Sequence, residues 1–223
     1  MHPGRSKSLL VITTFAACAA LAPSAASARA GVSDAVWTVH GHGASASASI
    51  NILTLSDQRR IDNRISAYIG SDGRLVLTAP EGLGDPDGSG GNCGLDNAKG
   101  GETSATEVSC AAGYIGAIVG DLGRGSDTFD ADPGLSVMVG GVIDGQPRPL
   151  AGGPGHDKLI GGALPDLFEG GGGPDSLVGG VGNDILLGGG GPDKLIGGVG
   201  KDFCRGAGGV DTAKGCEQVR SIP

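Results

Sequence analysis

Aromatic residues are scarce in this chain: one Trp, two Tyr and four Phe among 223 residues, or 3%. A large core built on rings is therefore excluded, and any interior must be filled mainly by Leu, Ile, Val and Ala. Basic residues are few as well, with 16 Lys and Arg against 24 Asp and Glu and a formal charge of −8. Without clustered cations to meet phosphate, nucleic acid is not an expected partner; cations are. The signatures of common hydrolytic chemistry are missing too. There is no HExxH, no GxSxG nucleophile elbow and no paired CxxC or HxxxH spacing for zinc.

Outside the first thirty residues no apolar run is long enough to span a bilayer. Residues 1–30 themselves carry Arg5 and Lys7, an apolar run from Leu9 to Ala22, and then small residues up to Ala28-Arg29-Ala30. That is the layout of a secretory signal peptide, with cleavage after Ala30 or Ala28. The run of about 14 apolar residues falls short of the ~20 a membrane helix needs. Phe15-Ala16-Ala17-Cys18 loosely resembles a lipoprotein cleavage site, with Phe where Leu is usual. The expected mature protein is thus extracellular and without integral membrane association. Export accounts for the remaining cysteines, Cys93, Cys110, Cys204 and Cys216, as an even set in an oxidising compartment. Three pairings are open; the local ones, Cys93 with Cys110 and Cys204 with Cys216, are expected.

What the chain has in excess is glycine: 46 residues, about three times the usual share of roughly 7%. Half of them, 23, fall between Gly152 and Gly215, where the sequence repeats every nine residues: GGPGHDKLI, GGALPDLFE, GGGGPDSLV, GGVGNDILL, GGGGPDKLI, GGVGKDFCR and GAGGVDTAK. Position 1 is Gly in all seven units. Position 6 is Asp in all seven: Asp157, Asp166, Asp175, Asp184, Asp193, Asp202 and Asp211. Ala207 at position 2 and Leu164 at position 4 are the departures from Gly. Position 8 is Leu159, Phe168, Leu177, Leu186, Leu195, Cys204 and Ala213. A flexible Gly linker has no reason to place Asp and an apolar residue every nine positions.

Glycines permit a tight turn, and positions 7 to 9 can then run as a short strand with position 8 facing inward. Two units make one coil, and stacked coils give two parallel sheets around a thin core, a solenoid. Stacking at about 4.8 Å sets the carboxylates of one edge near each other, where they repel. A hard cation such as Ca²⁺ removes the repulsion and completes its six to eight oxygen ligands from turn carbonyls. Zn²⁺ fits poorly, since the turns offer neither thiolate nor imidazole.

This nonapeptide resembles the RTX, or haemolysin-type, calcium-binding repeat. The resemblance covers residues 152–214 and implies a parallel β-roll with Ca²⁺ held by aspartates of turns 18 residues apart. The implied pairs are Asp157 with Asp175, Asp175 with Asp193 and Asp193 with Asp211 on one edge, and Asp166 with Asp184 and Asp184 with Asp202 on the other. Turn carbonyls, as at Gly153, Gly155, Gly170, Gly172, Gly188 and Gly190, would supply further ligands. At most five intercoil sites result. Outward apolar stripes, Leu167, Ile185 and Phe203 on one sheet and Ile160, Val178 and Ile196 on the other, are either exposed strand ladders or docking faces.

Residues 31–151 read as a separate β-rich region, and 215–223 as a C-terminal cap. Strands are expected within 45–55, on both sides of Ser71-Asp72-Gly73 in 65–78, and over 135–143, with a loop over 80–101. Gly123 to Phe129 is a lone GxGxDxF fragment, 30 residues before Asp157. It reads as an irregular coil that starts the solenoid, with Asp127 either a calcium ligand or a turn residue. His40 and His42 read as a solvent-exposed loop rather than a weak metal site, His156 as exposed, and Glu81, Asp85 and Asp87 as a solvated loop rather than paired catalytic carboxylates. The fold class expected is all-β. The function expected is non-enzymatic calcium binding outside the cell. The alternatives are a calcium-controlled adhesion protein with a cell-surface or polysaccharide partner, and a hydrolase with its site in 31–150, to which Asp85 or His42 would contribute.

Overall fold

Each nonapeptide joins two conformational demands. In six of the seven units the second position takes positive φ, as at Gly171 (114°), Gly180 (105°), Gly189 (110°) and Gly198 (117°), Gly162 being the exception, and glycine carries no Cβ penalty there. Its last three residues are rich in Leu, Ile and Val and run extended. Chain reversal and strand therefore alternate every nine residues. In a computed structural model that describes residues 36–42, 50–57, 61–84, 93–95, 104–110, 115–143 and 146–220, this produces twenty strands and no helix among the described residues. The leader expected over residues 1–30, Cys18 included, lies outside them.

The first strand among the described residues, β1 (Val36–His42), lies antiparallel to β2 (Ile50–Ser56). A turn leads to β3 (Arg64–Ile69), which forms a hairpin with β4 (Leu75–Gly84) through Gly73, at φ 79°. β5 (Cys93–Leu95) and β6 (Ser104–Cys110) extend that antiparallel excursion. Strand β4 thus runs past residue 80, into what the glycines and prolines of 80–101 marked as loop. Cys93 and Cys110 face each other in the ladder, and Cys110 is disulfide-bonded.

The chain then returns to the first coil. β7 (Ile115–Asp121) lies parallel on β2, and β8 (Thr128–Ala131) parallel on β3. The next level begins with β9 (Met138–Val139), is interrupted by a separate hairpin of β10 (Gly141–Ile143) and β11 (Gln146–Arg148), and resumes at β12 (Leu150–Pro154). Both β9 and β12 pair with β7. The single strand expected over 135–143 is therefore broken, at Gly140 with φ 73°.

From there the repeat runs without interruption. β13 (Lys158–Ile160), β15 (Ser176–Val181), β17 (Lys194–Val199) and β19 (Thr212–Lys214) continue the β3–β8 column. β14 (Leu167–Gly172), β16 (Ile185–Gly190), β18 (Phe203–Gly208) and β20 (Gln218–Arg220) continue the other. All of these pairings are parallel.

The inward positions meet between the columns. Ile65, Phe129, Leu159, Leu177 and Leu195 stack on one side; Leu150, Phe168, Leu186 and Cys204 stack on the other, all essentially without exposure. One apolar cluster runs from Leu53 to Cys204. The boundary expected at residue 151 is thus not a break, because β12 and β13 pair directly with β7 and β8. Nor does the Gly123–Phe129 coil start the solenoid, since β2 and β3 form a complete coil before it. The offset of 30 residues arises from the inserted β10–β11 hairpin, which adds twelve to the regular 18. Of the outward stripes, Leu167 is buried beside the base of that hairpin, whereas Ile160, Val178, Ile185, Ile196 and Phe203 are half-buried.

Ala207 is the one non-glycine residue with positive φ (88°) among the described residues, at a position held by Gly in the six other units. Strain of this kind costs of order 1–3 kcal/mol, partly offset by the smaller entropy of the unfolded Ala chain. Ala207→Gly is therefore expected to stabilise the protein by about 1 kcal/mol in denaturant unfolding. No gain, or a loss, would contradict the strain.

Candidate metal centre

Each position-6 aspartate closes a turn one residue before its strand, and the ladder register stacks these residues in two columns. On one edge the amide of Asp127 donates to Asp157 Oδ1 at 2.7 Å, Asp157 to Asp175 at 2.8 Å, and Asp175 to Asp193 and Asp193 to Asp211 at 2.9 Å. On the other, the amide of Val139 donates to Asp166 Oδ1 at 2.7 Å, while Asp166 donates to Asp184 and Asp184 to Asp202 at 2.9 Å. Each carboxylate reaches back one coil and satisfies a turn amide that the strand ladder leaves over. All seven repeat aspartates are 1–5% exposed.

That bond uses only one oxygen. Oδ2 of Asp127, Asp157, Asp175, Asp184, Asp193, Asp202 and Asp211 is buried without a hydrogen-bond partner; Asp166 Oδ2 accepts from the Gly162 amide at 2.9 Å. The first glycine of the unit makes room for the second oxygen. A Cβ on Gly170 would lie 2.5 Å from Asp175 Oδ2 and 2.5 Å from the Gly188 carbonyl oxygen. The same two atom types converge over Gly161 (Asp166 and Gly179), Gly179 (Asp184 and Gly197), Gly188 (Asp193 and Gly206) and Gly197 (Asp202 and Gly215). These first-position glycines have no positive φ; they are required for space.

Except over Gly161, where the Gly162 amide reaches Asp166 Oδ2, each of these cradles sets an unpartnered carboxylate oxygen beside a carbonyl oxygen, and the two repel unless a cation or a proton intervenes. The donors are hard oxygens only, which suits Ca²⁺ and not Zn²⁺. Among the described residues no three His, Cys, Asp or Glu side chains converge, so an ion here must complete its shell from carbonyls. Of the glycines named from the sequence, Gly188 contributes its carbonyl to a cradle and Gly170 forms the floor of one. The Gly172 and Gly190 carbonyls accept coil-to-coil bonds from the amides of Gly155 (2.7 Å) and Gly173 (2.6 Å). The carbonyls of Gly153 and Gly155 lie against the α-carbons of Gly171 and Gly173.

Burial dominates the protonation of these groups. It pushes Asp157, Asp175 and Asp184 up to about 6 and Asp166 and Asp127 up to about 7, and raises Asp193. The backbone bonds oppose that shift, and the carboxylate of the next coil adds to it.

Three residues outside the nonapeptides complete the columns. Asn63, one residue before Arg64 as Asp157 is before Lys158, donates its amide to Asp127 Oδ1 (2.7 Å) and its side-chain nitrogen to Asp127 Oδ1, Asp57 Oδ2 and the Leu122 carbonyl. A neutral donor thus begins the stack. Asp127 belongs to the column and is more than a turn residue. Yet Leu122 stands opposite Gly152, so a side chain occupies the place of the first glycine. At the far end, Glu217 accepts the Asp202 amide at 2.6 Å. Insertions hide Asn63 and Asp127 from any reading by nines, and Glu217 sits 15 rather than 18 residues beyond Asp202.

The other candidates stay apart from these columns. His40 and His42 lie on β1, opposite Ile52 and Ile50, instead of in a loop, because the β1–β2 ladder continues to that end. His156 is exposed beside Asp157, Glu81 is on β4, and Asp85 and Asp87 lie outside the described residues. Cys204 and Cys216 are joined by a disulfide.

Residues 151–213 carry RTX calcium-binding nonapeptide repeats: the family model of that description, four copies long, matches residues 151–186, 160–195 and 178–213. No curated protein and no solved structure matches the chain. Repeats of this kind bind Ca²⁺, and the cradles over the first-position glycines fit that ion.

Two outcomes follow for the stripped and altered protein. Raised carboxyl values mean that, without a cation, the folded state holds protons the unfolded chain releases. This stabilisation is complete below the ordinary 3.8 and is lost as pH rises through about 6 to 7. In chelator the protein should melt at a lower temperature at pH 8 than at pH 5, with saturating calcium removing the difference; a higher melting temperature at pH 8 in chelator would contradict the assignment. Gly179→Ala places a methyl between Asp184 Oδ2 and the Gly197 carbonyl, and should weaken one calcium site at least about tenfold, or about 1.4 kcal/mol. Unchanged calorimetric titration of that variant would exclude the cradle.

Proposed function

We propose that this chain is a secreted, non-enzymatic calcium-binding protein whose roll closes as it takes up Ca²⁺. The observation that carries this reading is the regular array of buried, unpartnered Oδ2 atoms along both edges of the roll. Burying an ionised carboxylate alone costs several kcal/mol, so the ion-free roll loosens near neutral pH. Calcium replaces the missing partners: the aspartates and first-position glycine carbonyls hold it, and it supplies the positive charge that lets neighbouring coils pack. Dissociation constants of 10⁻⁴ to 10⁻³ M are typical of extracellular modules. At millimolar calcium, about 1 to 10 times such constants, a site that binds only the folded state adds about 0.4 to 1.4 kcal/mol. Several such sites together reach a sizeable fraction of the net stability of an ordinary domain, about 5–15 kcal/mol. The leader-like sequence of residues 1–30 and the paired cysteines support export into a calcium-rich, oxidising compartment.

Isothermal calorimetry of calcium into the chelator-stripped, oxidised protein, with circular dichroism on the same samples, tests this. Uptake of several ions with a gain of β signal is expected. No uptake at millimolar calcium, with an unchanged spectrum, would overturn it.

A further inference from the structure

We propose that the last cradle of one edge, over Gly197 between Asp202 and the Gly215 carbonyl, is completed as a cation site by Glu217, a ligand from outside the nonapeptides, and held in place by the Cys204–Cys216 disulfide. This inference rests on the reading of the cradles as calcium sites. Asp202 is the last repeat aspartate of its edge, 1% exposed, with Oδ2 buried and unpartnered. The Gly215 carbonyl faces that oxygen over the α-carbon of Gly197, as the Gly197 carbonyl faces Asp184 Oδ2 over Gly179. Glu217 then stands in for the aspartate of a further coil. Its Oε2 accepts the Asp202 amide at 2.6 Å, as Asp202 Oδ1 accepts the Asp184 amide at 2.9 Å.

The backbone follows the same plan in shortened form. The Gln218 amide donates to the Asp202 carbonyl at 3.1 Å, matching Phe203 to Asp184 at 2.8 Å, and the Gly198 amide donates to the Gly215 carbonyl at 3.3 Å. Gly215 lies 18 residues after Gly197, but Glu217 only 15 after Asp202, so the last turn runs in three residues where the preceding one uses six. Glycines that would hold a full turn are gone. In their place Cys216, the middle residue, is bonded to Cys204, which is fully buried in the core column. The covalent link thus fixes both flanking ligands. Glu217 is exposed, which leaves one side of the site open to water. Two carboxylates, a carbonyl and water form an all-oxygen set suited to Ca²⁺.

Calcium calorimetry on the full oxidised chain tests this with Glu217→Gln and Cys216→Ser. Each is expected to bind one ion fewer than the parent, or to bind its weakest ion at least tenfold less tightly, while the calcium-loaded circular dichroism is retained. Glu169→Gln, an exposed carboxylate on β14, should leave the count unchanged. An identical ion number and affinity in Glu217→Gln overturns the terminal site, and that exposed position decides the matter even if Cys216→Ser unfolds. A parent protein that takes up no calcium instead overturns the reading on which the site rests.

Discussion

A carboxylate buried every nine residues is the constraint on which this fold depends. The aspartate cannot be exchanged for an apolar residue, because its Oδ1 satisfies a turn amide one coil back. Nor can it be left as it is, because Oδ2 is then buried beside another oxygen. In the absence of a cation the only relief is a proton, and burial raises the carboxyls of Asp157, Asp166, Asp175, Asp184 and Asp193 accordingly. The amide bonds fix the geometry of each turn, and the unpartnered oxygens fix what it must bind. Structure and ligand demand thus come from the two oxygens of one side chain.

Glycine serves the repeat in two distinct ways. At the second position of every unit but that of Gly162 the backbone takes positive φ, and Ala207 marks where that need is met imperfectly. At the first position φ is ordinary, and the absent side chain leaves the space in which Asp Oδ2 and the next coil's carbonyl converge. Leu122, opposite Gly152, shows the alternative. Its coil keeps the aspartate ladder through Asp127 but has a side chain where the others have a cradle. On the proposed reading an aspartate column alone does not make an ion site; the pairing of aspartate with first-position glycine does.

The roll over residues 152–214 was legible in the sequence because one period carries the turn, the strand, the inward apolar residue and the acidic column together. The β3–β4 hairpin was legible for the same kind of reason: alternating residues flank a Ser-Asp-Gly turn. What stayed hidden was continuity. Asn63, Asp127 and Asp157 stand in one column, but 64 and 30 residues separate them, since whole hairpins are inserted between coils. A search by nines cannot see through such insertions, so a continuous solenoid read as two regions. Likewise, Gly140 broke an expected strand, and the three-residue turn at Gly215-Cys216-Glu217 placed a glutamate in an aspartate's role.

The central claim is that each ion lies between an aspartate Oδ2 and the first-position glycine carbonyl of the next coil. The most direct measurement is an anomalous difference map from crystals of the protein grown with calcium, or with a lanthanide in its place. Peaks beside Asp175 Oδ2 and the Gly188 carbonyl, and at the equivalent atoms along both edges, are the predicted result. Ordered turns with no peak in those cradles, or ions bound only at exposed carboxylates, would contradict it.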